Sequence, residues 1–138
     1  MKLLIVNGPN LNLLGSRETE VYGNQTFDEY LEGLKSLFPL HQIAYFQSNV
    51  EGELINQLHL ARQQYDAVIL NPGGYGHTSV ALRDAIAAIK IPVVEVHITN
   101  VHAREEFRQR LITAAVSSGC ITGFGLRVYE LAILSLIS

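Results

Sequence analysis

The sequence predicts an α/β domain wound on a five-stranded parallel sheet, and three observations carry that prediction. The runs Leu3 to Val6 and Ala67 to Leu70 are continuously apolar, as strands covered on both faces are. Stretches of helical periodicity stand between such runs, so strands and helices alternate. The runs also end in loops rich in Asn and Gly, Asn7-Gly8-Pro9-Asn10 after the first and Asn71-Pro72-Gly73-Gly74-Tyr75-Gly76-His77 after the other. Loops at the carboxyl ends of strands are where open α/β sheets bind ligands.

Each element follows in order. Leu3 to Val6 is the first strand. The segment Asn7 to Gly23 lacks periodicity, and a loop of that length in a small domain suits a mobile lid bracketed by Gly15 and Gly23. Thr26 opens a helix with Glu29 three residues on, a capping box. Phe27, Tyr30, Leu31, Leu34 and Phe38 give it an apolar face, and Pro39 stops it. Gln42 to Gln47 alternates as a second strand. A second helix spans Glu51 to Tyr65, with Leu54, Ile55, Leu58 and Ala61 inward. Ala67 to Leu70 is strand three, and helix three covers about Ser79 to Ile89. The start of that helix, capped by Thr78 or Ser79, aims free N–H groups at the loop and reads as an anion seat. Val93 to Ile98 is strand four, Val101 to Leu111 a short basic helix, Cys120 to Gly125 strand five, and Val128 to Ile137 a closing helix. The flavodoxin-like order 2-1-3-4-5, with helices on both faces, suits this length and puts both polar loops beside the switch point between strands one and three.

Composition bounds the rest. A chain of 138 residues, 48% hydrophobic and 17% charged, is expected to form one domain over 1–138 and to bury roughly two-thirds of its unfolded surface. A net charge of −3 gives no electrostatic footprint for nucleic acid. The single cysteine, Cys120, forms no internal disulfide and builds no thiolate metal site. No run approaches the ~18 apolar residues of a membrane span, and the start is too short for a signal-peptide core, so a cytoplasmic protein is expected.

Several side chains invite chemistry. Glu95 and His97 are two apart in strand four and so share a face, where a carboxylate orients an imidazole and favours its charged form. A buried Glu–His hydrogen bond without chemistry fits equally. Tyr22, with Arg17 five residues before it, is either a packing residue or a phenol whose phenolate nearby cations stabilise. Arg104 and Arg108, four apart, would share one helical face and clamp a carboxylate, tune Tyr22, or pair with Glu105 or Glu106. His41, His59 and His102 stand in no ligand pattern and read as surface or boundary residues.

Other chemistries are argued down. The glycine loop lacks the Gly-Lys-Ser/Thr of a P-loop, and no dinucleotide fingerprint follows strand one. Imine chemistry needs a lysine at the site. The lysines are Lys2 and Lys90, at the amino edge of the sheet, and Lys35, on a helix. Asn7 and Asn71 stand where a phosphotransfer receiver would hold acids. Proton transfer on a small polar anion remains.

The chain resembles the type II 3-dehydroquinate dehydratases over nearly its whole length. Four blocks carry the likeness: Asn7-Gly8-Pro9-Asn10-Leu11-Asn12-Leu13-Leu14-Gly15 with Arg17-Glu18 and Tyr22-Gly23; Ser48-Asn49-Val50-Glu51-Gly52; Asn71-Pro72-Gly73 with His77-Thr78-Ser79-Val80-Ala81-Leu82-Arg83-Asp84; and Glu95-Val96-His97-Ile98-Thr99-Asn100 with Arg104-Glu105-Glu106-Phe107-Arg108. The resemblance implies loss of water from 3-dehydroquinate to give 3-dehydroshikimate, by anti elimination through an enolate, without imine, metal or cofactor. It implies Tyr22 as proton acceptor, with Arg17 and Arg104 lowering its pKa and Arg17 also stabilising transition-state charge. Asn10 would hold the enolate through a water. His97 would protonate the leaving hydroxyl, with Glu95 orienting it. Ile98 and Thr99 would meet the substrate carboxylate, and Asn71, Arg108 and His77 would complete the clamp. Asp84 would reach a neighbouring subunit's site in a dodecamer built as a tetramer of trimers.

The chain departs from that pattern at Gly74 and Gly76, where Ala and Thr are more familiar, and at Thr99 for Ser. It departs further at Gln109-Arg110-Leu111 and at Leu126-Arg127-Val128-Tyr129. The other class of reading is a non-catalytic module that binds a small carboxylate in the same crevice.

Overall fold

Five parallel strands form one sheet, in the order β2-β1-β3-β4-β5, in a computed structural model that describes residues 1–16 and 25–138. The strands are β1 (Lys2–Asn7), β2 (Gln42–Gln47), β3 (Ala67–Asn71), β4 (Val93–His97) and β5 (Gly119–Thr122). Four longer helices accompany them: α1 (Phe27–Leu37), α2 (Glu51–Gln64), α3 (Val80–Ile89) and α4 (Arg127–Ile137). The order matches the flavodoxin-like winding expected from the alternation of runs.

Strand alternation sorts the core into two layers. Leu3 and Ile5 of β1 face Phe27, Leu31 and Leu34 of α1 and Tyr129 and Ile133 of α4. Leu4 and Val6 face Leu54 and Leu58 of α2 and Leu82 and Ile86 of α3. Both faces of the central strands are therefore dry, which is why their sequence is continuously apolar. The register then sets Asn7 beside Asn71, and Leu70 beside Glu95, at the carboxyl ends of β1, β3 and β4.

Thr26 caps α1 as expected, but Glu29 meets the Thr26 hydroxyl and not its backbone N–H, so half of the capping box forms. The Thr26 hydroxyl accepts from the Glu29 N–H at 3.2 Å and donates to the Glu29 carboxylate at 3.0 Å. Past β1, Leu11 and Leu14 are buried, so the loop expected to be a lid is anchored in the core through its first part. Residues 17–24, which carry Arg17, Tyr22 and Gly23, lie outside the described residues.

Three expectations are corrected. Val101 to Leu111 forms two short 3-10 turns, Val101–Ala103 and Glu106–Gln109, rather than one helix. Arg104 between them is extended, and Phe107 stays exposed, so the segment has too little apolar surface to hold a helix against the sheet. Strand five ends at Thr122, because Gly123 turns off at φ +97° and bonds back to the His97 carbonyl. The start of α3 is not an open anion seat. Ser79 caps it, accepting from Leu82 N–H at 2.9 Å, and the same hydroxyl donates to the Glu51 carboxylate. A carboxylate of the chain already sits at that end.

The cap gives a stability prediction. Ser79 is nearly inaccessible, so Ser79→Ala leaves the Leu82 N–H and the Glu51 carboxylate short of a partner. It should cost about 1–2 kcal/mol, read as a lower melting temperature at fixed protein concentration. An unchanged melting temperature would show that water replaces the cap at no cost.

Candidate active site

The carboxyl ends of β1, β3 and β4 open onto a cavity of about 210 Å³, the space between the glycine loop and the turns after β4. Asn10, Asn71, His77, His97, Ile98, Thr99, Arg104 and Arg108 line it, with Pro9, Leu11, Leu14 and Val101 supplying apolar wall. Eight of the twelve site residues expected from the sequence thus converge on one space. Of the other four, Glu95 lies behind His97, Asp84 is exposed on α3 away from the cavity, and Arg17 and Tyr22 are outside the described residues.

The sheet end forces this convergence. Gly8 follows β1 because the chains cross closely there. Its N–H donates to the Asn71 carbonyl at 2.8 Å, and a Cβ would sit 2.6 Å from the Pro72 carbonyl oxygen. Asn10 takes a left-handed conformation, φ 71°, which asparagine tolerates, and its N–H is fixed by the Asn49 side chain at 2.9 Å. The Ser48-Asn49 block therefore acts as a brace for Asn10.

His97 and Glu95 form the chemical centre. The Glu95 carboxylate is fully buried and accepts from His97 Nε2 at 2.7 Å. Its other oxygen accepts from the hydroxyl of Thr113, also fully buried. Two donors satisfy a carboxylate that would otherwise be very costly to bury. With Nε2 committed to Glu95, Nδ1 is the nitrogen of His97 left for exchange. His77 faces His97 at 6.2 Å between ring centroids, and its Nδ1 donates to the Arg110 carbonyl at 3.0 Å. A carbonyl only accepts, so that bond fixes the tautomer of a neutral His77 and leaves Nε2 as an acceptor.

Asn71 is held from below. Its amide donates to the Tyr129 hydroxyl at 3.1 Å, and that hydroxyl donates to Asn7 Oδ1 at 2.7 Å. The Gly73 N–H donates to Asn71 Oδ1 at 3.2 Å. One amide hydrogen of Asn71 is left over for a ligand. Burial, above all, pushes the Tyr129 hydroxyl far up, so it serves as a neutral bridge.

At the rim, Arg108 pairs with Glu105 and lies 5.1 Å from the centre of the Phe107 ring. The hydrogen bond from Arg108 lowers the Glu105 carboxyl. The pair is exposed and so is readily exchanged for another carboxylate. Arg104 reaches Thr99 Oγ1 at 3.5 Å. The two arginines approach the cavity through the pair of turns, not along one helical face.

Glu95, His97 and Cys120 are the grouping among the described residues with metal-ligand chemistry, their donor atoms within 4.8 Å of one another. Hydrogen bonds already engage Glu95 and the Nε2 of His97. Both Glu95 oxygens are taken, and burial followed by the Glu95 charge pushes the Cys120 thiol up to about 11, although the residue lies exposed on the edge strand.

Sequence reasoning missed Thr113, Tyr129, Asn7 and Asn49 as supports of the site. Thr113 has no motif around it, and Tyr129 reads as one more apolar residue of a closing helix. The buried asparagine at each strand end was the one available signal, because such a group needs a partner.

The fold and this cavity define an α/β enzyme whose buried carboxylate–imidazole pair opens onto a polar, arginine-rimmed space, the equipment of acid–base chemistry. A family model described as dehydroquinase class II matches residues 1–137. The chain belongs to that family. It is 52% identical over 138 residues to a 3-dehydroquinate dehydratase of Bacillus licheniformis, with 95% of this chain and 92% of the relative covered. It is 55% identical over 142 residues to another from Exiguobacterium sp., covering 99% and 94%. The crystal structure of a type II dehydroquinase from Butyrivibrio crossotus superposes with a TM-score of 0.96 at 42% identity, covering 100% of this chain and 98% of that one.

Two predictions follow from the supports. Tyr129→Phe removes the shared hydroxyl from Asn7 and Asn71 in a dry site and should cost about 1–3 kcal/mol in urea unfolding. Tyr45→Phe, which loses only a 3.5 Å contact from Asn7, should cost less than about 1 kcal/mol; equal losses would contradict the bridge. For Cys120, alkylation by iodoacetamide should climb about tenfold per pH unit with no plateau until about 11. A plateau near the free-cysteine value of about 8.5 would show an unperturbed thiol.

Proposed function

We propose that this chain dehydrates 3-dehydroquinate to 3-dehydroshikimate, a hydro-lyase step of the shikimate route to aromatic compounds. The observation that carries the proposal is the buried Glu95–His97 pair opening onto a cavity that the other matched residues line, in a chain whose family match runs from residue 1 to 137.

The reaction is an anti elimination. Tyr22, as phenolate, takes the C2 proton, and the electron pair moves toward the carbonyl to give an enolate. Arg17 and Arg104 hold the phenol ionised, and Arg17 stabilises the developing charge. Asn10 supports the enolate oxygen through a water. The enolate then collapses, the C1–O bond breaks, and His97 gives its proton to the departing hydroxyl, which leaves as water. Glu95 keeps His97 oriented through the bond to Nε2. Ile98 and Thr99 receive the substrate carboxylate; Asn71, His77 and Arg108 grip the rest. The exposure of Glu105, the ion-pair partner of Arg108, supports this, since a substrate carboxylate can displace it.

No imine forms. Lys2 starts β1, Lys35 lies beside Glu32 on α1, and Lys90 caps α3, so no lysine lines the cavity. The exposed Asp84 on α3 suits a contact into a neighbouring subunit's site, in keeping with a cytoplasmic homododecamer arranged as a tetramer of trimers. No helix of the described residues is long and apolar enough to cross a membrane.

Purified protein mixed with 3-dehydroquinate should produce the ultraviolet absorbance of a conjugated enone, and its absence would favour a carboxylate-binding module. Tyr22→Phe should lower kcat by about 100-fold or more while substrate still binds by calorimetry. Near-normal turnover would remove Tyr22 from the role of base.

A further inference from the structure

We infer that Thr113 is a positioning residue for the proton donor: its hydroxyl holds the Glu95 carboxylate so that the opposite oxygen orients His97. The inference rests on the reading of His97 as that donor. Thr113 and Glu95 are both fully buried, and Glu95 has one donor on each oxygen, Thr113 on Oε1 and His97 on Oε2. A buried carboxylate with one partner removed either rotates or takes up a proton, and in both cases His97 loses its anionic support.

The placement of Thr113 is built by backbone. Ile112 N–H donates to the Gly76 carbonyl at 2.9 Å, and Thr113 N–H shares that acceptor at 3.4 Å. The Thr113 carbonyl in turn accepts from Ser117 Oγ at 3.0 Å. The segment leading into β5 is thereby stitched to the glycine loop. Gly76 leaves the room this needs. A Cβ there would lie 3.4 Å from Thr113 Oγ1, 3.4 Å from His97 Cε1 and 2.9 Å from Pro72 Cγ. Thr113 is also a neutral donor among charges. Among the described residues, the titratable or charged groups around the pair are His77, Arg104 and Arg108 in the same cavity, Cys120 on β5, and Arg83 of α3, which reaches the Ile112 carbonyl at 3.4 Å.

A structural role alone and a positioning role differ in pH dependence. Turnover that needs Tyr22 ionised and His97 protonated has an acidic limb from the tyrosine and a basic limb from the histidine. Weakening the Glu95 anion makes His97 give up its proton at lower pH. Thr113→Val should therefore lower kcat about tenfold, leave KM within about threefold, and move the basic limb of the kcat profile about one pH unit lower, with the acidic limb in place. Thr113→Ser, which keeps the hydroxyl, should restore both the rate and the limb. If the valine variant does not fold, Thr113→Cys, which loses the methyl but keeps a weaker donor, should give an intermediate shift.

A basic limb unchanged in the valine or cysteine variant, whatever the rate, assigns Thr113 to packing and overturns the inference. His97→Asn, made alongside, separates the two failures. If it leaves turnover and the basic limb intact, His97 is not the donor. If it abolishes them while Thr113→Val changes nothing, only the role of Thr113 falls.

Discussion

Burying the Glu95 carboxylate is the constraint that organises this molecule. A charge taken out of water on a central strand costs several kcal/mol unless its oxygens are matched by donors. Among the described residues, its two donors come from different parts of the chain: His97 two residues further along the same strand, and Thr113 from the segment before β5. Alternation in β4 makes the first partner automatic, because residues two apart share a face. The second has to be delivered across space, and the shared Gly76 carbonyl delivers it. One carboxylate thus ties together a strand, the glycine loop and the connection to the edge strand.

A second buried arrangement carries no charge and does a different job. Tyr129 reaches up from α4 and bridges Asn7 and Asn71, the last residues of adjacent strands. Burial pushes the phenol up and keeps it neutral, so the bridge is made of uncharged groups. The Glu95–His97 pair is the hydrogen-bonded group that faces the cavity, and the neutral bridge holds the ligand-facing amide still. Between them the two arrangements brace the switch point of the sheet.

Much of this was legible in the chain. Continuous apolar runs identified β1 and β3, and Thr26 with Glu29 announced the start of α1, because short-range chemistry decides those features. The spacing of Glu95 and His97 likewise revealed a shared face. What sequence could not carry was anything set by distant contact. The spacing of Arg104 and Arg108 suggests a helix, but Phe107 stays largely exposed among the described residues and the segment settles into separate turns. The start of α3 looked like an open anion seat until Glu51, from another helix, was seen to occupy it. Thr113 and Tyr129 have their roles only because the fold brings them under strand ends more than a dozen residues away. Tyr22 and Arg17, outside the described residues, rest on the resemblance.

The central claim is that the negative charge of Glu95, not merely its shape, equips His97 to give up a proton to a leaving group. Glu95→Gln tests this most directly, because the amide keeps the size of the side chain and can still meet both partners. The account predicts a folded protein that binds substrate with KM within about threefold of the original, with kcat reduced about 100-fold or more and the basic limb of its pH profile displaced downward. A variant with undiminished kcat and an unmoved limb would contradict it.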